Sequence, residues 1–190
     1  MRAVFGVFAV IALALGLAME GAYLKGRQEC AAPVAPVVSH KCRTHSALES
    51  VAQRQRHEMA KAINTVNPIV PERRIAREIQ RASRLTAVNP WLLTAVAMNE
   101  SNFDPLAVGR DGERGIMQIT RRTAGVVGLP WDRAFDIRLN TQAGAMYLEQ
   151  MLQHHGGSRW RALLAYNGGG DPTYPARVMV DYYSLIRGAR

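Results

Sequence analysis

The segment Met98-Asn99-Glu100-Ser101-Asn102-Phe103-Asp104-Pro105 decides the fold, and Gly115-Ile116-Met117-Gln118-Ile119 follows it after a short loop. The preceding residues Trp91–Met98 are almost entirely apolar, which predicts a helix that is buried on most sides. Glu100 then falls at the C-terminal end of this helix. Both the negative end of the helix dipole and apolar walls disfavour a charged carboxylate, so the pattern predicts a catalytic acid. A surface acid at a helix end is the alternative.

The composition describes a globular, strongly basic chain. With 190 residues it has room for one domain plus appendages, and 48% hydrophobic against 21% charged residues argues against disorder. A net charge of +9 favours a polyanionic partner such as nucleic acid, a membrane surface or an acidic cell-wall polymer. We find no zinc-ligand spacing, basic heptad array or aromatic platform, so we do not expect a nucleic-acid partner.

The N-terminal region predicts export. Residues Ala3–Met19 form an uncharged apolar run, so residues 1–24 are interpreted as a signal-anchor or transmembrane helix. Gly16-Leu17-Ala18 offers the small residues of a signal-peptide cleavage site, so a cleaved signal is the alternative. We therefore expect a protein anchored in the inner membrane and facing the periplasm, or one exported to the periplasm.

Residues 25–45 read as a proline-containing linker between this segment and the first soluble helix. The cysteines Cys30 and Cys42 lie at the two ends of the linker. They could pair in an oxidising compartment, but two free thiols are an equally open alternative.

Helical periodicity dominates the rest of the chain. A helix over Ser46–Val66 makes residues 46–70 either a stalk or a first layer on the main domain, which we assign to residues 71–190. Further helices are predicted from Pro71, from Pro90, over 140–153, over 160–166 and from Pro175 through 186. No stretch shows sustained strand alternation, so the fold class is mainly α. The three tryptophans Trp91, Trp131 and Trp160 are most simply core residues.

No metal or cofactor site is predicted. His154-His155 is better explained as a solvated helix end than as a metal pair, because no third ligand keeps helical spacing with it. An ordinary glycosidase would need a second carboxylate beside Glu100. Asp104, Asp111 and Glu113 are candidates by proximity, although the loop that holds the last two is also typical of a solvated turn.

Glu100-Ser101-x-Phe103-Asp104-Pro105-x-Ala107 and Gly115–Ile119 resemble the first two motifs of the soluble lytic transglycosylase (SLT) family, which has the goose-type lysozyme fold. Three further segments resemble later motifs of that family in the right order: Asp136–Leu148, Ala165–Gly169 and Tyr174–Val178. Together the motifs cover about residues 71–186. The resemblance implies a mainly α, lysozyme-like catalytic domain over residues 71–190.

The resemblance also implies a reaction and a set of site residues. Glu100 would protonate the bond between N-acetylmuramic acid and N-acetylglucosamine in a peptidoglycan strand. It would then act as a base while a 1,6-anhydro ring closes, so neither a second carboxylate nor a cofactor is required. Tyr166 would orient Glu100 or the substrate acetamido group, and Ser101 would help to hold the loop. The expected saccharide groove is lined by Met117, Gln118, Tyr147, Tyr166 and Asn167. Met117 and Tyr147 are equally explained as core residues, and Asn167 as a helix cap.

The chain departs from the family pattern in the loop before Gln118. Gly109-Arg110-Asp111-Gly112 stands where the family often has Ser-Pro-x-Gly, so a family serine contact is lost. Asp111 could support attack by water, which would make the protein a lysozyme-type hydrolase of the same bond. A second alternative is a wall-binding assembly module of a phage or secretion machine, with catalysis secondary. A phage lysis enzyme and a housekeeping enzyme would share the same domain, and the sequence identifies no protein partner.

Overall fold

The computed structural model describes residues 40–189, with side chains from residue 47 onward. In this range it contains seven α-helices and a 3-10 turn at Trp131–Arg133. The α-helices are α1 (His40–Val66), α2 (Glu72–Thr86), α3 (Pro90–Ser101), α4 (Arg121–Val127), α5 (Ile137–His154), α6 (Arg159–Tyr166) and α7 (Tyr174–Gly188). The mainly helical fold class predicted from the sequence is therefore confirmed for the described residues.

The N-terminal predictions concern a part of the chain that the structure does not describe. The signal-anchor over residues 1–24, most of the linker and Cys30 lie outside the described residues, so the anchor and the Cys30–Cys42 pairing stay predictions. Among the helices of residues 40–189, none combines the length and apolar character that a membrane span requires. The chain divides into two compact units, residues 1–50 and 51–190, and only residues 40–50 of the first are described.

The part of α1 within the second unit is a layer of the domain. Met59 and Ile63 are fully buried in the core. Arg56 donates to Gln80 Oε1 at 2.5 Å, and Gln80 Nε2 donates to the carbonyl of Ala52 at 2.8 Å. These contacts join α1 to α2, because a buried glutamine satisfies its amide through the neighbouring helix.

Helix α3 is the centre of the domain, as its apolar run predicts. Asn89 caps it by accepting from the backbone N–H groups of Trp91 and Leu92, and every residue from Trp91 to Ala97 is buried. The helix ends abruptly because Asn102 and Phe103 both adopt left-handed backbone conformations, with φ of 50° and 65°. Phe103 is fully buried, which fixes the reversal of the chain directly after Glu100.

Three predictions from the sequence need correction. Helix α1 starts at His40, six residues before the expected Ser46, so residues 40–45 of the expected linker are helical. Helix α5 starts at Ile137, three residues earlier than expected, because Asp136 caps it by accepting from the N–H of Leu139 at 3.0 Å. That backbone hydrogen bond also lowers the pKa of Asp136. The prediction that Trp160 is a core residue is wrong, because Trp160 is 51% exposed on the first turn of α6. Trp91, by contrast, is buried.

Candidate active site

Glu100 is held on one side by α7. The Tyr174 hydroxyl donates to Glu100 Oε1 at 2.5 Å. Burial raises the pKa of Glu100 from its ordinary 4.5 to about 7, against the Tyr174 hydrogen bond, which lowers it. The nearby charge of Glu113 adds to the rise, and that of Arg177 opposes it. Near neutral pH, Glu100 is therefore protonated in some molecules and ionised in others. A group that donates a proton and then accepts one needs both forms to be accessible.

Tyr166 lies beside Glu100 and Tyr174, but its hydroxyl donates to a different group. Its hydroxyl donates to the carbonyl of Met117 at 3.0 Å, and its ring centroid lies 5.4 Å from that of Tyr147. The residue that donates to Glu100 is Tyr174, to which sequence reasoning assigned no individual role. The motif that contains Tyr174 was identified, but periodicity does not show which buried tyrosine at a helix start meets a carboxylate on another helix.

The opposite side of the site is the loop between α3 and α4. Ser101 Oγ donates to the carbonyl of Ile116 at 2.9 Å, so Ser101 does hold the loop. Asn140, fully buried on α5, accepts from the N–H of Met117 at 2.8 Å and donates to the carbonyls of Arg114 and Ala134. The loop is therefore fixed by side chains that bond its backbone, from both α3 and α5.

The Met117 side chain belongs to the core. It is fully buried, and a Cβ added to Gly144 of α5 would lie 2.6 Å from Met117 Cβ. The expectation that this side chain lines an open groove therefore needs correction, because its atoms pack against the small residue on α5. The backbone carbonyl of Met117 instead accepts a hydrogen bond from the Tyr166 hydroxyl.

Gln118 uses its amide nitrogen to hold the loop. Nε2 donates to the carbonyl of Gly115 at 2.9 Å and to that of Ala107 at 3.3 Å. The backbone of Gln118 has a φ of 45°, a left-handed conformation that is unusual for a side chain of this size. Its amide oxygen faces Gly109, 2.7 Å from where a Cβ at that position would lie.

Asn167 ends α6, and its side chain braces the following loop. Its Oδ1 accepts from the N–H of Asp171 at 3.2 Å, which fits the helix-cap interpretation. Asp171 accepts from Thr173 and from Arg177, the latter at 2.7 Å, and these bonds lower its pKa to about 2. The braced loop thus fixes Arg177, the cation that acts on Glu100.

The three candidate second carboxylates have different surroundings. Asp104 Oδ1 accepts from the N–H of Leu106 at 2.8 Å and so closes a turn, and Asp111 is exposed. Glu113 is partly buried, and among the three its charge is the one that acts on Glu100. Within residues 40–189 no three His, Cys, Asp or Glu side chains converge in a way that would hold a metal ion.

Fold and site together define a helical domain built around one buried carboxyl group that is poised to exchange a proton. Residues 77–176, more than half of the chain, match the Transglycosylase SLT domain family, and the chain belongs to that family. The family resemblance of the motifs is thereby confirmed.

Several curated proteins are similar to parts of this chain. A membrane-bound lytic murein transglycosylase F from Sodalis glossinidius is 37% identical over 94 residues, which are 46% of this chain and 20% of that protein. The peptidoglycan transglycosylase gp16 of Escherichia phage T7 is 33% identical over 120 residues, 58% of this chain and 9% of that protein. This chain thus spans a fifth or less of the length of these relatives. A solved structure of an inactive mutant of the lytic transglycosylase Slt from Pseudomonas aeruginosa matches 60% of this chain and 21% of that one, with 21% identity and a TM-score of 0.45.

Proposed function

We propose that this domain is a peptidoglycan lytic transglycosylase in which Glu100 is both the catalytic acid and the catalytic base. The observation that carries the proposal is the burial of the Glu100 carboxyl group against the hydroxyl of Tyr174, in a domain of the SLT family. The similarity to murein and peptidoglycan transglycosylases supports peptidoglycan glycan strands as the substrate.

In the first step Glu100 acts as an acid. Its proton goes to the oxygen that bridges N-acetylmuramic acid and N-acetylglucosamine, and the bond from that oxygen to the muramic C1 breaks. The oxygen of the substrate's own acetamido group then bonds to C1 and carries the positive charge. A pKa of about 7 keeps a substantial fraction of Glu100 protonated at neutral pH, while the group remains acidic enough to give its proton up.

In the second step the ionised Glu100 acts as a base. It takes the proton of the muramic C6 hydroxyl, O6 attacks C1, and the bond from C1 to the acetamido oxygen breaks. A 1,6-anhydro ring closes and Glu100 regains its proton, so water is not consumed. The Tyr174 hydrogen bond and the Arg177 charge both favour the carboxylate, which exists between the two steps.

The remaining site residues are assigned supporting roles in the saccharide groove. We infer that Tyr147 and Tyr166 offer aromatic surface to a sugar ring, and that the amide oxygen of Gln118 accepts from a sugar donor. Asn167 acts through the loop that its side chain braces, and Met117 acts through its backbone carbonyl, which accepts from Tyr166. The partial exposure of Tyr147, Tyr166 and Gln118 supports this assignment, because each side chain keeps surface that a ligand can cover.

The direct test replaces Glu100 with glutamine. Glu100→Gln keeps the acceptor for Tyr174 and removes the proton exchange, so muropeptide release from purified sacculi is expected to be lost while the helical circular dichroism spectrum is retained. Glu149→Gln makes the same chemical change on α5 and is expected to retain full activity. Full activity of Glu100→Gln would exclude the proposal.

Mass spectrometry of the products separates the transglycosylase from the hydrolase. The proposed reaction leaves 1,6-anhydromuramic acid ends, whereas a lysozyme-type hydrolase leaves reducing muramic acid ends that are heavier by one water. The exposure of Asp111 argues against its serving as a fixed base for water. Products with only reducing ends would replace the transglycosylase by the hydrolase alternative.

We further propose that residues 1–24 hold the enzyme at the inner membrane, facing periplasmic peptidoglycan. The relatives come from bacteria and from a phage, so a lysis enzyme, a wall-opening component of a secretion machine and a housekeeping enzyme are all compatible with the domain. Fractionation of the chain expressed with its native N-terminus tests the attachment, and an N-terminus that maps near Met19 would contradict it. Host lysis on expression would favour the phage setting, and full biological function of Glu100→Ala would favour an assembly role.

A further inference from the structure

A second side-chain contact joins α3 to α7, besides the one between Glu100 and Tyr174. Asn99 Nδ2 donates to Asp181 Oδ2 at 2.7 Å and to the carbonyl of Ala95 in its own helix at 2.9 Å. Asn99 immediately precedes Glu100 in the chain, and Asp181 follows Tyr174 by seven residues. Two adjacent residues of α3 are therefore bonded to two different points of α7.

These two points lie on the same side of α7. Seven residues are close to two helical turns, or about 10 Å along the helix axis. Tyr174, Val178 and Tyr182 on this side are buried. Asp181 lies half-buried next to Tyr182. Because the two hydrogen bonds are about 10 Å apart, α7 cannot slide or turn over α3 without breaking one of them.

The Asn99 amide is held in one orientation. One of its two N–H groups bonds to its own helix and the other bonds to α7, so both donors are used. Within residues 47–189, no lysine or arginine forms an ion pair with Asp181. Asn99 is thus the partner of this carboxylate in the described part of the chain, and a hydrogen bond to a charged acceptor is stronger than one between neutral groups.

The contact between Tyr174 and Glu100 depends on how α7 lies against α3. The 2.5 Å from the Tyr174 hydroxyl to Glu100 Oε1 leaves no room for the two helices to move apart. Asp171 bonds to Arg177 and so ties the start of α7 to the preceding loop, but not to α3. Among the described side chains, the hydrogen bonds that cross from α3 to α7 are those of the pairs Asn99–Asp181 and Glu100–Tyr174.

We propose that Asp181 is a positioning residue, which acts through Asn99 to hold α7 where the Tyr174 hydroxyl meets Glu100. The inference rests on the proposed function of Glu100, because a group that makes two proton transfers in turn has to stay in a fixed place. The effect of Asp181 on the site passes through the packing of two helices.

Titration of the Glu100 carboxyl carbon by NMR tests the proposal without depending on activity. The Tyr174 hydrogen bond lowers the pKa of Glu100, so a loosened bond raises the titration midpoint. Asp181→Leu removes the acceptor of Asn99, and its midpoint is expected to rise by about half a pH unit. Asp181→Asn keeps an acceptor in the same place and is expected to keep the wild-type midpoint. Equal midpoints in Asp181→Leu and the wild type would overturn the proposal.

The same two variants distinguish positioning from a direct effect of the Asp181 charge. A carboxylate that acts through space favours the protonated form of Glu100, so its removal would lower the midpoint in both variants alike. The other groups that act on Glu100 are the same in both variants, namely Tyr174 and Arg177 of α7, Tyr166 of α6 and Glu113 of the loop. A lowered midpoint in both variants would therefore contradict the positioning role.

The Tyr174→Phe background tests whether Asp181 acts through the tyrosine hydroxyl. In this background, Asp181→Leu is expected to add no further shift, because the bond that it loosens is already missing. Additive shifts in the double variant would refute this route. Should Asp181→Leu fail to fold by circular dichroism, Asn99→Leu removes the same bond from the other helix and is expected to give the same raised midpoint.

Gln80→Leu is the matched control for a general loosening of the domain. It removes an amide hydrogen bond between two other helices, the one from Gln80 Nε2 to the Ala52 carbonyl. The Glu100 midpoint is expected to stay in place in this variant. A midpoint raised as much as in Asp181→Leu would show that any lost contact between helices has the same effect, and the specific role of Asp181 would fall.

Muropeptide release shows what the placement contributes to the reaction. In Asp181→Leu, kcat is expected to fall about tenfold while KM stays within about twofold of the wild-type value, because the reacting group is misplaced and the sugar contacts remain. Asp181→Asn is expected to restore kcat. An unchanged kcat in Asp181→Leu would overturn the positioning role. If the wild-type protein releases no muropeptides, the proposed function fails, while the NMR titration still decides whether Asp181 positions Tyr174.

Discussion

The two walls of the site are built in different ways. The helical wall, formed by α3, α6 and α7, presents side chains on regular backbone, and Glu100 and Tyr174 meet there directly. The loop wall, residues 103–119, presents irregular backbone that is held by side chains from elsewhere, above all Asn140 on α5. The helical wall carries the buried carboxyl group of Glu100, and the loop wall carries Gln118 and the Met117 carbonyl to which Tyr166 donates.

The two walls depend on the amino-acid sequence in different ways. A helix end places a side chain by regular geometry and apolar burial, and local sequence signals specify such an end. A loop without regular hydrogen bonds needs a partner for each buried backbone group, so single side chains decide its path. We therefore expect variants of the loop anchors to cost stability at every pH, and variants of the helical wall to change the proton affinity of Glu100 and with it the pH dependence of stability.

The largest expected effect is on the loop wall. Asn140→Ala leaves the N–H of Met117 and the carbonyl of Ala134 without their partner, and it removes one of the two donors to the carbonyl of Arg114, which keeps the N–H of Ile119. The free energy of unfolding is expected to fall by about 4 kcal/mol, because buried polar groups without partners cost roughly 1–3 kcal/mol each. Urea unfolding of the wild type and the variant measures this loss of stability. The control Gln142→Ala, on the same helix but partly exposed, is expected to cost under about 1 kcal/mol. Equal losses in the two variants would show that Asn140 does not anchor the loop.

The next effect is a gain of stability on the helical wall. Glu100 has a pKa of about 7 in the folded protein, against an ordinary value of 4.5, so its ionisation favours the unfolded chain. The folded protein therefore keeps its full stability below pH 4.5 and loses stability as the pH rises through about 7. Glu100→Gln is therefore expected to be more stable than the wild type by up to about 3 kcal/mol at pH 8. At pH 4 the two are expected to be similar. Thermal unfolding at both pH values measures the difference, and a gain that does not depend on pH would contradict this origin.

The sequence predicted the helical wall well because its signals are local. The apolar run before Glu100, the Asn89-Pro90 start and the glycines after Tyr166 each lie within one element. Helix bounds differ most at the start of α1, which begins at His40 rather than Ser46, and at the start of α5, which Asp136 caps. Trp160 was misplaced because aromatic residues at helical spacing do not reveal whether a short helix turns them outward.

The loop wall could not be predicted in the same way because its contacts join distant residues. The bond from Asn140 to Met117 spans 23 positions, and no periodicity marks it. The sequence named Glu113 only as a nearby acid, since its relation to Gly109 depends on the fold of the intervening turn. The hydrogen bond from Tyr174 to Glu100 could not be predicted for the same reason, because the two residues lie 74 positions apart on different helices.

A smaller effect is expected where the loop wall meets α5. Gly144→Ala introduces a Cβ 2.6 Å from Met117 Cβ, which is fully buried and has no free space to move into. Overpacking is expected to cost about 2 kcal/mol in unfolding free energy. Gly125→Ala on α4 is the matched control, because a Cβ there meets nothing within 4 Å and alanine favours the helix. That control is expected to gain up to about 1 kcal/mol. A neutral Gly144→Ala would mean that Met117 is not packed as the structure describes.

The smallest effect separates two tyrosines of the helical wall, one of which donates to Glu100 and the other to the loop wall. Tyr174→Phe removes the hydroxyl that donates to Glu100, and Tyr166→Phe removes the one that donates to the Met117 carbonyl. Each is expected to cost about 1 kcal/mol of stability, because each loses one hydrogen bond and keeps its ring. Their effects on proton affinity should differ. The Tyr174 bond lowers the pKa of Glu100, so Tyr174→Phe is expected to raise the midpoint of the Glu100 carboxyl titration, whereas Tyr166→Phe leaves it in place. A raised midpoint in Tyr166→Phe alone would mean that Tyr166, and not Tyr174, sets the proton affinity of Glu100.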